Sequence, residues 1–408
     1  MPLLRVAALV ACLLLSACAG PAPRPDAPPH TVVLVSIDAF RADYLSADAT
    51  PHLARLAREG ARAAWMNPSY PSLTFPNHYT LATGLRPDRH GVIHNRMNDA
   101  DIGQFAVADR GAVNDGRWWG GEPIWVTAEK QGVRSASWAW PGSSAAIRGV
   151  RPGRWGAYDE TVPPARRIDE GLAWLDNPQP PRLVAVYFEQ LDKAGHDHGP
   201  DSVEVRRTLG ELDAVIGRLR DGLAERGLLD STDLIVVSDH GMATVGPNRA
   251  IGVEQMIAPS IATVVSDGQS IGIQPLPGHE RDAEARLLGA HAQYDCFRRG
   301  ELPERWHYGT NPRVPPIVCQ MHEGWDALYP QKLAKRLPNA TRGSHGFDPA
   351  LPSMRALFVA RGPSFVPGTE LPAFDNVDVY PLLARLLGVE PAPNDGDIAP
   401  LLPALHGH

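Results

Sequence analysis

The sequence predicts an α/β protein built on a doubly wound, mostly parallel sheet, with helices on both faces and one inserted subdomain. Three observations carry that expectation. Short β-branched apolar runs alternate with amphipathic stretches of helical period. Several of those runs lead directly into acids and imidazoles, the placement expected where ligands bind beyond the carboxyl ends of strands. The 40 prolines and 38 glycines among 408 residues favour long irregular connections, which a helical bundle does not need.

Residues 31–37 (TVVLVSI) read as a buried parallel strand that delivers Asp38 at its end. Residues 50–59 follow as a helix, with Pro51 in the first turn, Leu53, Leu56 and Ala57 on one face, and Gly60 as the stop. Residues 183–188 (LVAVYF) are a second strand, leading into Asp192 and His196. The longest helix spans 202–226, with Val205, Leu209, Leu212, Val215, Ile216, Leu219 and Leu223 on its apolar stripe. A third strand, 234–237, runs straight into Asp239 and His240. Residues 245–310 are less regular and read as the insertion. A fourth strand, 355–360, comes after His345, and 378–387 is a closing helix despite its proline. The catalytic domain is expected to span 31–395.

Residues 1–17 carry one positive charge, Arg5, and an apolar stretch too short to span a bilayer, so they read as a secretory signal. Leu15-Ser16-Ala17-Cys18 resembles a bacterial lipobox, which predicts lipidation of Cys18 and a periplasmic or outer-membrane-anchored protein. Residues 18–30 are a Pro-rich tether. Cleavage removes Cys12 and lipid occupies Cys18, which leaves Cys296 and Cys319. In an oxidising compartment that pair is expected to bond. Lys and Arg total 39 against 46 Asp and Glu, a net charge of −7, so no global basic field exists to hold a nucleic-acid duplex.

Asp38, Asp192, His196, Asp239, His240 and His345 are the candidate metal ligands. Mixed oxygen and nitrogen donors suit zinc better than calcium or magnesium. Six of them suffice for two zincs, and two adjacent zincs clamp both oxygens of an in-line displacement at phosphorus. The nucleophile should be a hydroxyl, and the segment 67–80 offers Ser69, Ser72, Thr74 and Thr80. A helix ending at Gly84 follows, so a hydroxyl at its start would meet the positive helix end.

Six motifs stand in order along 30–390: Ser-Ile-Asp38-Ala-Phe-Arg, Pro-Ser-Leu-Thr74-Phe-Pro-Asn-His, His90-Gly…Asn95, Asp192-Lys-Ala-Gly-His196-Asp-His-Gly, Ser-Asp239-His240-Gly-Met and Gly-Ser-His345-Gly-Phe-Asp. Together they resemble the nucleotide pyrophosphatase/phosphodiesterases of the alkaline phosphatase superfamily, bacterial members in particular. The resemblance implies an alkaline-phosphatase-like fold and two zinc ions. Asp192, His196 and His345 would hold one. Asp38, Asp239 and His240 would hold the other, with Thr74 as its fourth ligand. Thr74 would attack phosphorus to form a phosphothreonine, with Asn95 and the Phe75 N–H clamping a non-bridging oxygen. Phe75 and Tyr158 match positions that enclose a nucleobase, Tyr187 matches a further lining position, and His198 falls to a supporting role.

The nucleophile motif lacks the arginine of the sulfatases, and its threonine differs from the serine of the phosphomutases. No arginine accompanies it as in the monoesterases. Small nucleotide phosphodiesters are therefore the expected substrates, with nucleoside 5′-monophosphates as products and a membrane contact only through Cys18. A phospholipid-head-group phosphodiesterase of the same superfamily is the alternative enzyme. An inert binding lipoprotein is the third reading, which intact Thr74 and six ligands oppose.

Overall fold

Eight strands form the central sheet of the computed structural model, which describes residues 30–407. The signal segment, Cys18 and the tether up to residue 29 lie outside the described residues. In chain order the strands are β1 (Thr31–Ile37), β2 (Ala61–Ala63), β3 (Ser135–Trp138), β4 (Arg154–Gly156), β5 (Leu183–Phe188), β6 (Thr232–Val237), β7 (Phe358–Arg361) and β8 (Thr369–Leu371). Across the sheet they run β8-β2-β7-β6-β1-β5-β3-β4. β1 pairs in parallel with both β5 and β6, so the ends of these three strands fall at one edge.

Successive β1 side chains point to opposite faces, and both faces are covered. Val32 and Leu34 pack with helices α2 (Thr74–Thr83) and α6 (Val379–Leu387). Val33 and Val35 pack with α1 (Pro51–Glu59), α3 (Pro164–Leu175) and α5 (Val203–Glu225). This two-sided burial explains why the central strands read as continuous apolar runs. Ser202 caps α5, its Oγ accepting from Val205 N at 3.2 Å.

β7 runs antiparallel to both of its neighbours, β6 and β2. Its first residue therefore lies at the edge where β1, β5 and β6 finish. The chain entering β7 brings His345 to that edge, although His345 precedes a strand and the other candidate ligands follow theirs.

The stretch 245–310, expected to be the less regular part, is ordered over much of its length, and the sheet it contributes to runs on to residue 321. Ala262–Ser266, Ser270–Pro275, Ile317–Met321, Tyr294–Arg298 and Gly289–Ala290 form an all-antiparallel five-stranded sheet in that order. It has its own core of Ile271, Ile273, Leu287 and Ile317. Cys296 and Cys319 sit directly opposite in register and are joined by a disulfide.

Candidate active site

The loop 69–73 is tied down by a residue of the helix it precedes. Asn77 Oδ1 accepts from Ser69 N at 2.7 Å and from Asn376 Nδ2 at 2.9 Å, while its Nδ2 donates to the Pro71 and Leu73 carbonyls. Thr74 thereby takes the first position of α2, where the helix dipole favours an anion. The four candidate hydroxyls separate clearly. Ser69 donates to Asn376 Oδ1, Ser72 to the Phe347 carbonyl, and Thr80 pairs with His90 Nε2. Thr74 is the one that lines the cleft, with Oγ1 at 3.4 Å from His240 Nε2.

Helix α4 (Gln190–His198) follows β5 and presents Asp192 and His196 one turn apart. Ala243–Val245, just beyond His240, pairs antiparallel with Arg342–Ser344 and draws His345 alongside. Gly343 permits this approach, since a Cβ there would stand 2.5 Å from the Gly195 carbonyl oxygen. The rings of His240 and His345 stack with centroids 3.7 Å apart. All six candidate ligands thus converge.

Their hydrogen bonds show what they await. A carbonyl only accepts, so His345 Nδ1–H donates to Ser72 O, His196 Nδ1–H to Gly343 O, and His240 Nδ1–H to Gly241 O. In its neutral form each of these rings offers a bare Nε2 lone pair. His345 Nε2 and His196 Nε2 face each other at 3.1 Å, and both lie 3.3–3.4 Å from Asp192 Oδ1, which is buried without a hydrogen-bond partner. Three acceptors at those separations repel unless a cation sits among them. Metal–nitrogen lengths near 2.0–2.1 Å in a tetrahedron give ligand edges of about 3.3 Å, so the donor set fits zinc.

The second half repeats the pattern. His240 Nε2 lies 2.9 Å from Asp239 Oδ2 and 3.6 Å from Asp38 Oδ1, and both oxygens are buried without partners. The two halves differ in access. Asp38, Asp239 and His240 are at most 1% exposed, whereas the His196 side chain is 34% exposed. Burial, and then the Asp239 and Asp192 carboxylates, push Asp38 well above the ordinary carboxylate range. Burial likewise raises Asp192. Burial works against the charged form of Asp239 too, but His240 and His78 outweigh it and hold that carboxyl well below its usual value. Burial keeps the His345 ring neutral, as a metal ligand must be.

The site opens into a cleft of about 530 Å³ whose wall includes Phe75, Asn95, Trp140, Tyr158 and Tyr187. Phe75 packs against Phe105 and Trp119, which fixes its ring from behind. Tyr158 is braced by Arg110, whose guanidinium lies 4.8 Å from the ring centroid. Tyr187 lines the cleft, as expected, and takes a second part as well. Its hydroxyl donates to Asp38 Oδ2 at 2.6 Å and orients that carboxylate. The Phe75 N–H donates to Asn95 Oδ1 at 3.0 Å. That bond aims the Asn95 amide, so Asn95 Nδ2 is the donor left for a substrate oxygen. His198, at the end of α4, is exposed.

Sequence reasoning missed two groups. His78, one turn after Thr74, donates from Nδ1 to the Thr74 carbonyl, pairs through Nε2 with Ser36 Oγ, and comes within 3.2 Å of Asp239 Oδ2. It was visible inside the nucleophile motif, but nothing in the motif distinguished it from a core histidine. The fully buried Arg167 was missed as well. Its guanidinium grips Glu189 at 2.5 and 2.8 Å and donates to the carbonyls of Tyr187, Asp159 and Val162. It lies among apolar neighbours of α3, so no periodicity marks it.

A family model described as type I phosphodiesterase / nucleotide pyrophosphatase matches residues 32–348. An uncharacterized pyrophosphatase/phosphodiesterase of Schizosaccharomyces pombe is 36% identical over 392 residues, covering 91% of this chain and 80% of that protein. A bis(5′-adenosyl)-triphosphatase of Xenopus laevis is 34% identical over 386 residues, 94% of this chain and 83% of that protein. Among solved structures, an inactive threonine-to-alanine form of murine ectonucleotide pyrophosphatase/phosphodiesterase 5, in complex with AMP, superimposes with a TM-score of 0.87 at 32% identity. That likeness covers 92% of this chain and 100% of the murine one. These relatives are eukaryotic, so the likeness to bacterial members remains an expectation of the sequence.

Proposed function

The chain belongs to the type I phosphodiesterase/nucleotide pyrophosphatase family, with its alkaline-phosphatase-like fold, and from that premise we propose a two-zinc hydrolase that uses Thr74 as nucleophile. It cleaves nucleotide phosphodiesters or pyrophosphates through a phosphothreonine and releases nucleoside 5′-monophosphates. The observation that carries this reading is the Thr74 hydroxyl, set at a helix start 3.4 Å from His240 Nε2 within the six-residue cluster.

Asp192, His196 and His345 would hold one zinc, and Asp38, Asp239 and His240 the other. Bound there, the two ions would supply Lewis acidity that favours ionisation of a hydroxyl and offsets charge on the leaving oxygen. Thr74 Oγ gives its proton to solvent and attacks phosphorus. The bond from phosphorus to the leaving oxygen breaks on the opposite side, toward Asp192, His196 and His345. Asn95 Nδ2 holds a non-bridging oxygen as charge develops, and the Phe75 N–H, expected to share that task, instead donates to Asn95 Oδ1 and orients the amide. Water then attacks phosphorus, the Oγ–P bond breaks, and the threonine hydroxyl is restored. The inactivity of the murine threonine-to-alanine form supports a threonine nucleophile, and its bound AMP supports a nucleotide pocket.

Side-by-side rates on a nucleotide diester, a nucleotide monoester and a choline phosphodiester test the reading. The nucleotide diester is expected to be fastest. A faster choline ester would transfer the enzyme to lipid head groups, and a faster monoester to the monoesterases. Phe75→Ala is expected to lower kcat/KM on the nucleotide diester by roughly tenfold, since a stacked base contributes about 1–3 kcal/mol. Bis-nitrophenyl phosphate, which has no base, should lose far less. Equal losses on the two substrates would remove Phe75 from the base wall.

We further propose export and anchoring through Cys18. The Cys296–Cys319 disulfide supports an oxidising compartment. Labelled palmitate should enter the wild-type protein and not Cys18→Ser. Equal labelling of both would end the anchor assignment.

A further inference from the structure

Asn95 is held in the cleft wall from three sides. Its Oδ1 accepts from the Phe75 N–H at 3.0 Å, and its carbonyl accepts from the Val107 N–H at 3.1 Å. The third hold is the turn 94–96 itself, closed across Asn95 by the Arg96 N–H, which donates to His94 Nδ1 at 3.0 Å. Just before that turn, the Ile93 carbonyl accepts from the Tyr308 hydroxyl at 3.2 Å.

His94 is buried, and its second nitrogen reaches out of the turn. A backbone N–H only donates and a carbonyl only accepts, so Nδ1 is the bare nitrogen, and Nε2–H donates to the Ser270 carbonyl at 3.0 Å. Burial pushes the ring down to about 4, which keeps the accepting nitrogen unprotonated at neutral pH. Ser270 opens the strand Ser270–Pro275 of the five-stranded sheet and pairs there with Gln320. Its hydroxyl meets the Tyr70 hydroxyl at 3.1 Å, in the 69–73 loop that sets Thr74. One residue of that sheet therefore holds the nucleophile loop through its hydroxyl and the Asn95 turn through its carbonyl. His94 is the link to the turn. An asparagine at 94 could close the same turn, since its side-chain oxygen accepts from the N–H two residues on. It is too short to reach the sheet as the histidine does.

We propose that His94 is a positioning residue that holds the Asn95 amide in place for the non-bridging oxygen, with the five-stranded sheet as its anchor. This rests on the reading of Asn95 as the donor to that oxygen. A preorganised donor counts most as charge develops, so a loosened turn should cost turnover more than binding.

The test reads kcat and KM on nitrophenyl thymidine 5′-monophosphate for His94→Ala, His94→Asn, Asn95→Ala and the two double variants. His94→Ala is expected to lower kcat roughly tenfold, part of the roughly hundredfold or more that loss of a whole oxyanion donor costs. KM should stay within about twofold. His94→Asn still closes the turn and should fall only about threefold below wild type. In the Asn95→Ala background, replacing His94 should change kcat by less than about twofold, because the amide it positions is gone. If His94→Ala does not fold, His94→Asn gives the same comparison, a loss alone and none beside Asn95→Ala. Losses that multiply in the double variants, a wild-type kcat in His94→Ala, or an asparagine variant no faster than the alanine one would each overturn the assignment of His94 while the nucleotide reading stands. A wild-type kcat in Asn95→Ala would overturn the parts given to Asn95 and His94 together.

Discussion

Thr74→Ala is expected to keep zinc near the wild-type content and to lower turnover of a nucleotide diester on the order of 10⁴-fold or more. The helix start survives, because alanine is a good helix former and the Asn77 clamp on the 69–73 loop does not involve the threonine side chain. No neighbouring hydroxyl can substitute. Ser69, Ser72 and Thr80 are each engaged elsewhere, with Ser69 donating to Asn376 and Ser72 to a backbone carbonyl. Thr74→Ser keeps the hydroxyl and should retain a measurable rate. Steady-state kinetics with elemental analysis of the same preparation decides the matter. Wild-type turnover by the alanine variant would place the nucleophile outside α2.

Chelation is expected to cut activity on the order of 10³-fold or more, with recovery on added zinc. Without a cation, Asp38, Asp192 and Asp239 each keep a buried oxygen that no hydrogen bond satisfies. The stripped protein should therefore melt at a lower temperature and regain stability with zinc, because the ion binds the folded state alone. His345→Ala should remove metal from the open half, since it deletes one of three acceptors that face one another at 3.1–3.4 Å. Fully active enzyme that contains no transition metal would refute the two-zinc mechanism.

The ligand-bearing strand ends were legible because burial on both faces of a parallel sheet leaves an unmistakable apolar run, and Asp38, Asp239 and His240 follow such runs within three residues. The direction of β7 was not legible. A short buried strand has the same composition whichever way it runs, and that direction, with the pairing of Ala243–Val245 and Arg342–Ser344, brings His345 to its partners. The sheet of 262–321 was hidden for a different reason. Its strands have two to six residues and mix buried with exposed positions, as in Ala262–Ser266, so no long run or clean alternation forms. Tyr187 was legible as a lining residue, but sequence cannot show that its hydroxyl finds Asp38.

The Arg167 clamp bears on how the pocket could be re-engineered. One guanidinium binds carbonyls of Asp159 and Val162, beside Tyr158, and also Tyr187 and Glu189, at the root of α4. The loop of Tyr158 and the helix carrying Asp192 are thus stitched together by a side chain that belongs to neither. Transplanting the 156–162 loop from a relative would replace the backbone that carries two of those carbonyls, and a loop of another path would move them out of reach. A chimera should keep Arg167, Glu189 and the incoming loop as one cassette, with crossover points before residue 156 and after residue 189. The unit to exchange when Tyr158 is changed is therefore the span from β4 through α3 and β5 to Glu189, and not the loop of Tyr158 alone.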